Sequence, residues 1–410
     1  MDELRKGWGA LLAATVGTMC GLLTITNYTQ GFFVGPVTSE FGWSVAEFFF
    51  AFTITSCLGL ITAPVVGTLA LKYGIKRLGI LGLIGHAIGY VLLSMNTGSL
   101  IWWYLTSAAL AILAAGSLPI IWTSVLNGWF IKNRGKAIGI TMAGTGMGAF
   151  LLPPIAEFLI SNYGWRTAYQ GIGIGALGLS LPVALLLFSE NPDFLSSDEK
   201  SSSSNANWGM TRSEALRDYR FWLLGSVLFI TIFVMVGLIS NFQRIMEARG
   251  LARADIASIA ALMGLTIVFG RLLVGVLVDR FWAPAVASVF FVLPIIAMLL
   301  MLYGAPTIAL GMVIGIAIGL AAGAELDMLV YLTGRYFGPA HYPAVFGGIF
   351  AFSSIGAGIA PPLFGAGAQA WQGYELVLSG AIGLLLLSIV MFLMLGKYPN
   401  TQPPTETAQD

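Results

Sequence analysis

The chain has little of what soluble proteins are built from. Charged residues make up only 10% of its 410 residues, against about 25% in an average soluble domain, so no water-facing surface could be covered with them. Two cysteines and two histidines, far apart in sequence, exclude a disulfide scaffold and a Cys/His metal centre. A glycine-rich phosphate loop between strand and helix is missing, and so is a Gly-x-Ser-x-Gly elbow. The enzyme classes those motifs serve therefore have no support, and no cofactor or metal is expected. A net charge of +1 from dispersed basic residues leaves no electrostatic footprint for nucleic acid.

What is abundant is apolar length. Hydrophobic residues are 57% of the chain, and a bilayer core takes about 20 of them per helix. Twelve runs qualify: residues 10–35, 48–71, 78–96, 100–126, 136–160, 168–189, 220–243, 256–278, 284–303, 306–333, 342–368 and 374–396. The expected fold is an all-α membrane protein of twelve transmembrane helices. The first run follows a charged start (Asp2, Glu3, Arg5, Lys6) but is too long for a signal-peptide core and lacks a small-residue cleavage site, so it is expected to remain in the mature chain. Cys20 and Cys57 fall inside runs and read as small buried apolar residues.

The runs repeat. Gly67-Thr68-Leu69-Ala70-Leu71-Lys72-Tyr73 returns 208 residues later as Gly275-Val276-Leu277-Val278-Asp279-Arg280-Phe281, and Pro153-Pro154 returns at the same offset as Pro361-Pro362. Such duplication predicts two pseudo-symmetric six-helix bundles with a site enclosed between them. The divisions expected are residues 1–189, a cytoplasmic linker at 190–219, and 220–410 with a short disordered tail. The linker carries a serine run and a capping pair, Thr211 with Glu214, for a short helix lying on the membrane. Fifteen cations fall on the side of the termini, and only Arg166, Arg244, Arg249 and Arg253 on the other. The positive-inside rule then places both termini in the cytoplasm, in a multi-pass protein of a microbial inner membrane that works as a monomer.

The stretch Trp129-Phe130-Ile131-Lys132-Asn133-Arg134-Gly135-Lys136-Ala137-Ile138-Gly139-Ile140, followed by Ala143-Gly144 and Gly148, is similar to the fifth-helix signature of the monocarboxylate porters. That group belongs to the major facilitator superfamily and is related to the oxalate/formate exchangers. The superfamily's loop motif is degraded in the first half, where Leu71 stands at the acidic position, and is kept in the second as Asp279 and Arg280. The resemblance implies gating roles for Asp279, Arg280, Lys132 and Arg134. It also implies that Arg271, at the eighth-helix arginine position, binds the anion. Mammalian members carry a lysine in helix one and an aspartate one turn before that arginine. Asn27 and Ile267 stand there in this chain, so coupling through those groups is excluded. The motif glycines (139, 144, 146, 148, 347, 348, 356 and 358) read as points of close helix approach, and the double prolines as kinks that shape a cavity.

Ionisable residues inside spans carry the chemistry, because a charge at mid-bilayer costs at least about 2.5–3.5 kcal/mol and is kept for a partner or a task. Arg271 can read a substrate carboxylate through its planar fork, or serve as a permanent tether to Glu325 or Asp327. Those two acids stand about 200° apart around their helix and cannot face the same way. Asp327 shares a stripe with Tyr331 that offers the more persuasive cavity lining, so Asp327 is favoured as the proton-coupling group with Glu325 the alternative, and Tyr331 is expected to line the substrate site with Tyr28 and Asn27 of the opposite half. A carboxylate in a low-dielectric cavity is a natural site for taking up a proton together with an anion. Tyr28, beside Asn27, needs a hydrogen-bond partner at that depth and can find it on a substrate or on backbone. Ser117, Trp122, Asn241 and Gln243 are weaker substrate-site candidates, and His86 and His341 form no metal constellation. The expected activity is secondary active transport of small lactate- or pyruvate-like monocarboxylates with a proton. The alternatives are an organic anion exchanger, an importer of aromatic or larger acids, and a non-transporting membrane sensor.

Overall fold

The structure, a computed structural model, describes residues 2–130, 133–189, 209–338 and 342–398, and among these the regular structure is helical throughout. Helices α1 (Asp2–Met19) and α2 (Leu22–Phe41) form the first crossing, and α3 (Val45–Tyr73) and α4 (Ile75–Ser94) the second and third. The fourth is α5 (Leu100–Leu113) and α6 (Pro119–Trp129), joined by a 3₁₀ turn at Ala115–Ser117. Helix α7 (Arg134–Leu187) holds the fifth and sixth, divided at Gly164, whose φ of 78° makes the reversal without a loop. After the short α8 (Arg212–Arg217), six helices cross once each: α9 (Tyr219–Ala248), α10 (Arg253–Val278), α11 (Ala283–Tyr303), α12 (Ile308–Phe337), α13 (Tyr342–Ala370) and α14 (Glu375–Met394). Among the described residues, ten helical runs are long and apolar enough to cross a bilayer. Dividing α7 and adding the α5–α6 pair gives the twelve expected. Exposed aromatics such as Trp8, Tyr73, Trp222, Tyr163 and Tyr303 sit toward span ends, as in the aromatic belts of membrane proteins. The Thr211–Glu214 capping box forms as expected, while most of the linker, His341 and the tail lie outside the described residues.

Two expectations need correcting. The first and fourth spans are not continuous. Each breaks midway, at Cys20-Gly21 and at residues 114–118, and the breaks face one another. Backbone groups freed inside a membrane must be satisfied by neighbours. Here the Ser117 hydroxyl accepts from the Leu22 N–H at 3.1 Å and donates to the Ala114 carbonyl at 2.7 Å. Trp122 Nε1 donates to the Ser117 carbonyl at 3.1 Å, and His86 Nδ1 sits 3.2 Å from the Cys20 carbonyl. Cys20 is buried as expected, but Cys57 is exposed.

The even number of crossings brings Asp2 and Tyr398, the outermost described residues, to one end of the molecule, the near end. The bundles touch through α2 with α9, α3 with α13, and α7 with α10. Gly31 abuts the Ser240 carbonyl, Gly146 abuts Val268, and Gly264 abuts the Ala149 backbone. The Thr53 hydroxyl donates to the Gly358 carbonyl at 2.6 Å. All of these lie from mid-span to the far end. Six of the eight motif glycines are in close approach to side chains or backbone, as expected. Gly139 and Gly347 are not: they face open space within 4 Å, as does Gly275, and all three lie toward the near end.

Candidate functional site

Helices α10 and α12 approach as closely as backbone allows. Gly270 lies on the Leu320 backbone, Gly319 on the Met263 carbonyl, and Gly323 on the Ile267 carbonyl and Arg271 N–H, leaving no room for a Cβ at any of the three. This contact fixes the root of Arg271. Its side chain is 11% exposed and its Nη1 stands 3.8 Å from Asp327 Oδ1, a distance at which the charges attract without a good hydrogen bond. Arg271 Nε has no partner. Arg271 and Asp327 are thus paired, but loosely, and the Asp327 side chain is 41% exposed. Glu325 points elsewhere, as the angular separation requires. It is 6% exposed, lies beside Thr231 of α9, and its Oε1 has no partner.

Tyr28 comes from the other bundle and lies within electrostatic reach of both Arg271 and Glu325. With Asn27 it lines a recess completed by Pro153, Gln243 and Met263. Residues of both bundles are thereby gathered around one set of charges. Tyr331 is placed differently. It is partly buried with Tyr398 as its electrostatic neighbour, and Tyr398 lies under the Arg335 guanidinium at 4.7 Å and accepts from the Ala283 N–H at 3.0 Å. Tyr331 therefore borders the near end of the C-terminal bundle. Ser117 and Trp122 hold the two helix breaks together, with the Ser117 hydroxyl fully engaged. Asn241 joins α9 to α13, donating to the carbonyls of Gly237 (3.0 Å) and Pro361 (3.3 Å) and accepting from the Tyr374 hydroxyl (3.3 Å). Asp279 and Arg280 are exposed at the near end of α10. Arg134 begins α7, and Lys132 lies outside the described residues.

A latch outside the sequence candidates closes the far end. Arg253 Nε donates to both carboxylate oxygens of Glu157, at 3.2 and 3.1 Å, and Nη2 donates to the Phe32 carbonyl at 3.1 Å. Glu247 lies 3.6 Å from the same Nε and accepts from Gln243 Nε2 at 2.8 Å. The Ser161 hydroxyl also donates to Glu157, at 2.7 Å. One arginine from the C-terminal bundle is thus clamped to two helices of the N-terminal bundle. The signal was available, since Glu157 is an acid inside a predicted span, the kind of residue that normally has an assignment.

The chain matches the family profile described as Major Facilitator Superfamily over residues 15–322 and 237–410. It is similar to an uncharacterized 38 kDa protein in the 23S RNA operon of Thermoproteus tenax, 26% identical over 92% of this chain and 91% of that one. It is also similar to the uncharacterized MFS-type transporter YhjX of Escherichia coli, 25% identical over 86% of each. Monocarboxylate transporter 12-B of Danio rerio is 29% identical over 44% of this chain and 38% of its own length. Among solved structures, a bacterial homolog of the human lysosomal transporter Spinster, inward-facing and unoccupied, superposes with a TM-score of 0.73 at 19% identity, covering 94% of this chain and 96% of that one.

Proposed function

The chain belongs to the Major Facilitator Superfamily, and we propose that it is a secondary active transporter that moves a small monocarboxylate together with a proton by alternating access. The observation that carries this reading is Arg271. It is the one cation at mid-span among the described residues, it is nearly buried, and its local carboxylate holds it only at 3.8 Å while its Nε stays unpartnered. A fully tethered arginine would be better satisfied. An under-satisfied guanidinium at mid-span suits a negative charge, and its planar fork matches a carboxylate. The partial likeness to monocarboxylate transporters points the same way.

In this reading Asp327 competes with the substrate for Arg271. While charged it occupies the guanidinium; once protonated it releases it, so anion binding and proton uptake favour one another. The cation bias supports a near end facing the cytoplasm of a microbial inner membrane, and the proposed functional unit is a monomer. The far-end latch, with open space beside Gly139, Gly275 and Gly347, supports reading the state as inward-open, with residues 190–219 linking the bundles. Opening to the far side requires the Arg253 clamp to part and the near-end glycines to close.

The test is uptake of labelled short-chain acids into proteoliposomes under an imposed pH gradient. Wild type is expected to accumulate acid, and Asp327→Asn to exchange labelled for unlabelled acid without accumulating it. Normal accumulation by Asp327→Asn but not by Glu325→Gln would move the coupling role to Glu325. Normal accumulation by both variants would refute symport through α12, and exchange with no response to the gradient in wild type would favour the anion exchanger.

A further inference from the structure

A buried amide has no business keeping its carbonyl unpaired unless something arrives to pair it. Gln243 on α9 is 3% exposed. Its Nε2 is committed to Glu247 at 2.8 Å, which fixes which way the amide faces, and its Oε1 has no hydrogen-bond partner. It lines the recess bounded by Asn27, Tyr28, Pro153 and Met263. That space is small, with room for a water-sized group and for little more. Leaving an amide oxygen unsatisfied in such a place is costly, so a donor-bearing group that reaches it is favoured.

The recess lies between the Arg271 cluster and the latch. Met263 and Arg271 are eight residues apart on α10, about 12 Å along the axis at 1.5 Å per residue. Side chains lean toward a helix's N-terminus, and the N-terminus of α10 is at the recess end, so the guanidinium covers part of that distance. A substrate held by its carboxylate on Arg271 would place atoms several bonds further along in the recess.

We propose that Gln243 is a substrate-contact residue whose Oε1 accepts a hydrogen bond from a hydroxyl at the far end of the transported acid, so that the preferred substrates are hydroxy acids with the hydroxyl several carbons from the carboxylate. This rests on the reading of Arg271 as the carboxylate site. It also gives substrate a route to the latch, because the amide that receives the hydroxyl is bonded to Glu247, which pairs with Arg253 at 3.6 Å.

The test is competition by unlabelled acids in proteoliposomes, using 3-hydroxypropionate, 4-hydroxybutyrate and 6-hydroxyhexanoate against their deoxy and ω-fluoro counterparts. Fluorine keeps the size and polarity of the hydroxyl but carries no proton. Wild type is expected to prefer at least one ω-hydroxy acid to both of its counterparts by about tenfold. Gln243→Met, which keeps the length of the side chain, should abolish that preference, read as the ratio of hydroxy-acid to deoxy-acid binding, a ratio that a general loss of affinity leaves unchanged. Equal binding of hydroxy and fluoro acids by wild type overturns the proposal without any variant, and so does a preference that survives in Gln243→Met. If wild type binds none of the acids, both this inference and the monocarboxylate reading fall. If it binds them all in an Arg271-dependent way without regard to the hydroxyl, only this inference falls.

Discussion

Two regions of the molecule put polar groups at membrane depth, and they treat them in opposite ways. Around Cys20 and Ser117 the polar groups are the by-product of two broken helices, and the neighbouring side chains are committed to them: Ser117 both accepts and donates, and Trp122 and His86 each take a carbonyl. Around Arg271 the helices are continuous and close-packed, so no backbone group needs help, yet Arg271 Nε and Glu325 Oε1 stand without partners. In the first cluster the side chains are spent on the freed backbone groups, with His86 Nε2 alone of the three left over; in the second, charged groups stay open that no backbone group calls for, as the proposed ligand site requires. This distinction separates Ser117 from Arg271, which by residue type and position alone were both candidates.

The sharpest way to break the comparison is to exchange the outcomes. Arg271→Lys keeps the charge but loses the fork, and removing one of two charge-assisted hydrogen bonds should weaken substrate binding by roughly 10–100-fold. Thermal stability should change little, since the wild-type side chain is poorly bonded. Ser117→Ala should do the reverse, leaving substrate affinity within about twofold and lowering stability by about 1–3 kcal/mol because the Leu22 N–H loses its acceptor. Paired uptake and thermal-unfolding measurements on the two variants decide it. Loss of affinity in Ser117→Ala with unchanged unfolding would put Ser117 in the substrate site.

A second contrast is between the two ends. The far end is held by Arg253, Glu157 and the Phe32 carbonyl, whereas Gly139, Gly275 and Gly347 toward the near end face open space. If the latch sets this asymmetry, Arg253→Gln should shift the population toward far-side opening by about tenfold. The reporter is a cysteine at Ile239, a lining residue of the recess, in a Cys57→Ser background, labelled by an impermeant thiol reagent from the far side. Labelling should rise in Arg253→Gln. It should stay high in Arg253→Gln/Glu157→Gln, which also removes the charge that the single variant leaves buried. No change in either variant would make the pair a packing contact without control over the state.

The helices were legible because apolar length is written into a membrane sequence, and the internal repeat announced the two bundles. The breaks at Cys20-Gly21 and at residues 114–118 were not, because an apolar run scores the same whether or not its backbone is continuous. The cost of the break is met by side chains on other helices, which a single stretch does not reveal. Arg271 was legible as an isolated charge. Its degree of satisfaction was not, since a 3.8 Å pairing and a tight one have the same sequence. Glu157 was within reach of the same rule and was missed beside a proline-rich motif.

The tyrosines give the finest version of the comparison. The Asp327 stripe suggested that Tyr28 and Tyr331 line one cavity from opposite bundles. The structure brings Tyr28 into electrostatic contact with Arg271 and Glu325 and gives Tyr331 the company of Tyr398 at the near end. Replacing either with Phe removes only a hydroxyl, so the effects should be the smallest in the set, about 2–10-fold for a single hydrogen bond. Tyr28→Phe is expected to change the order of preference among lactate, pyruvate, acetate, propionate and benzoate, with the oxygenated acids losing most. Tyr331→Phe should leave that order intact and instead alter the rate of exchange, because its surroundings join α12 to the segment that ends at Tyr398. If Tyr331→Phe reorders the acids and Tyr28→Phe does not, the substrate sits closer to the near end than the Arg271 cluster indicates, and the stripe with Asp327 is the better guide to the cavity.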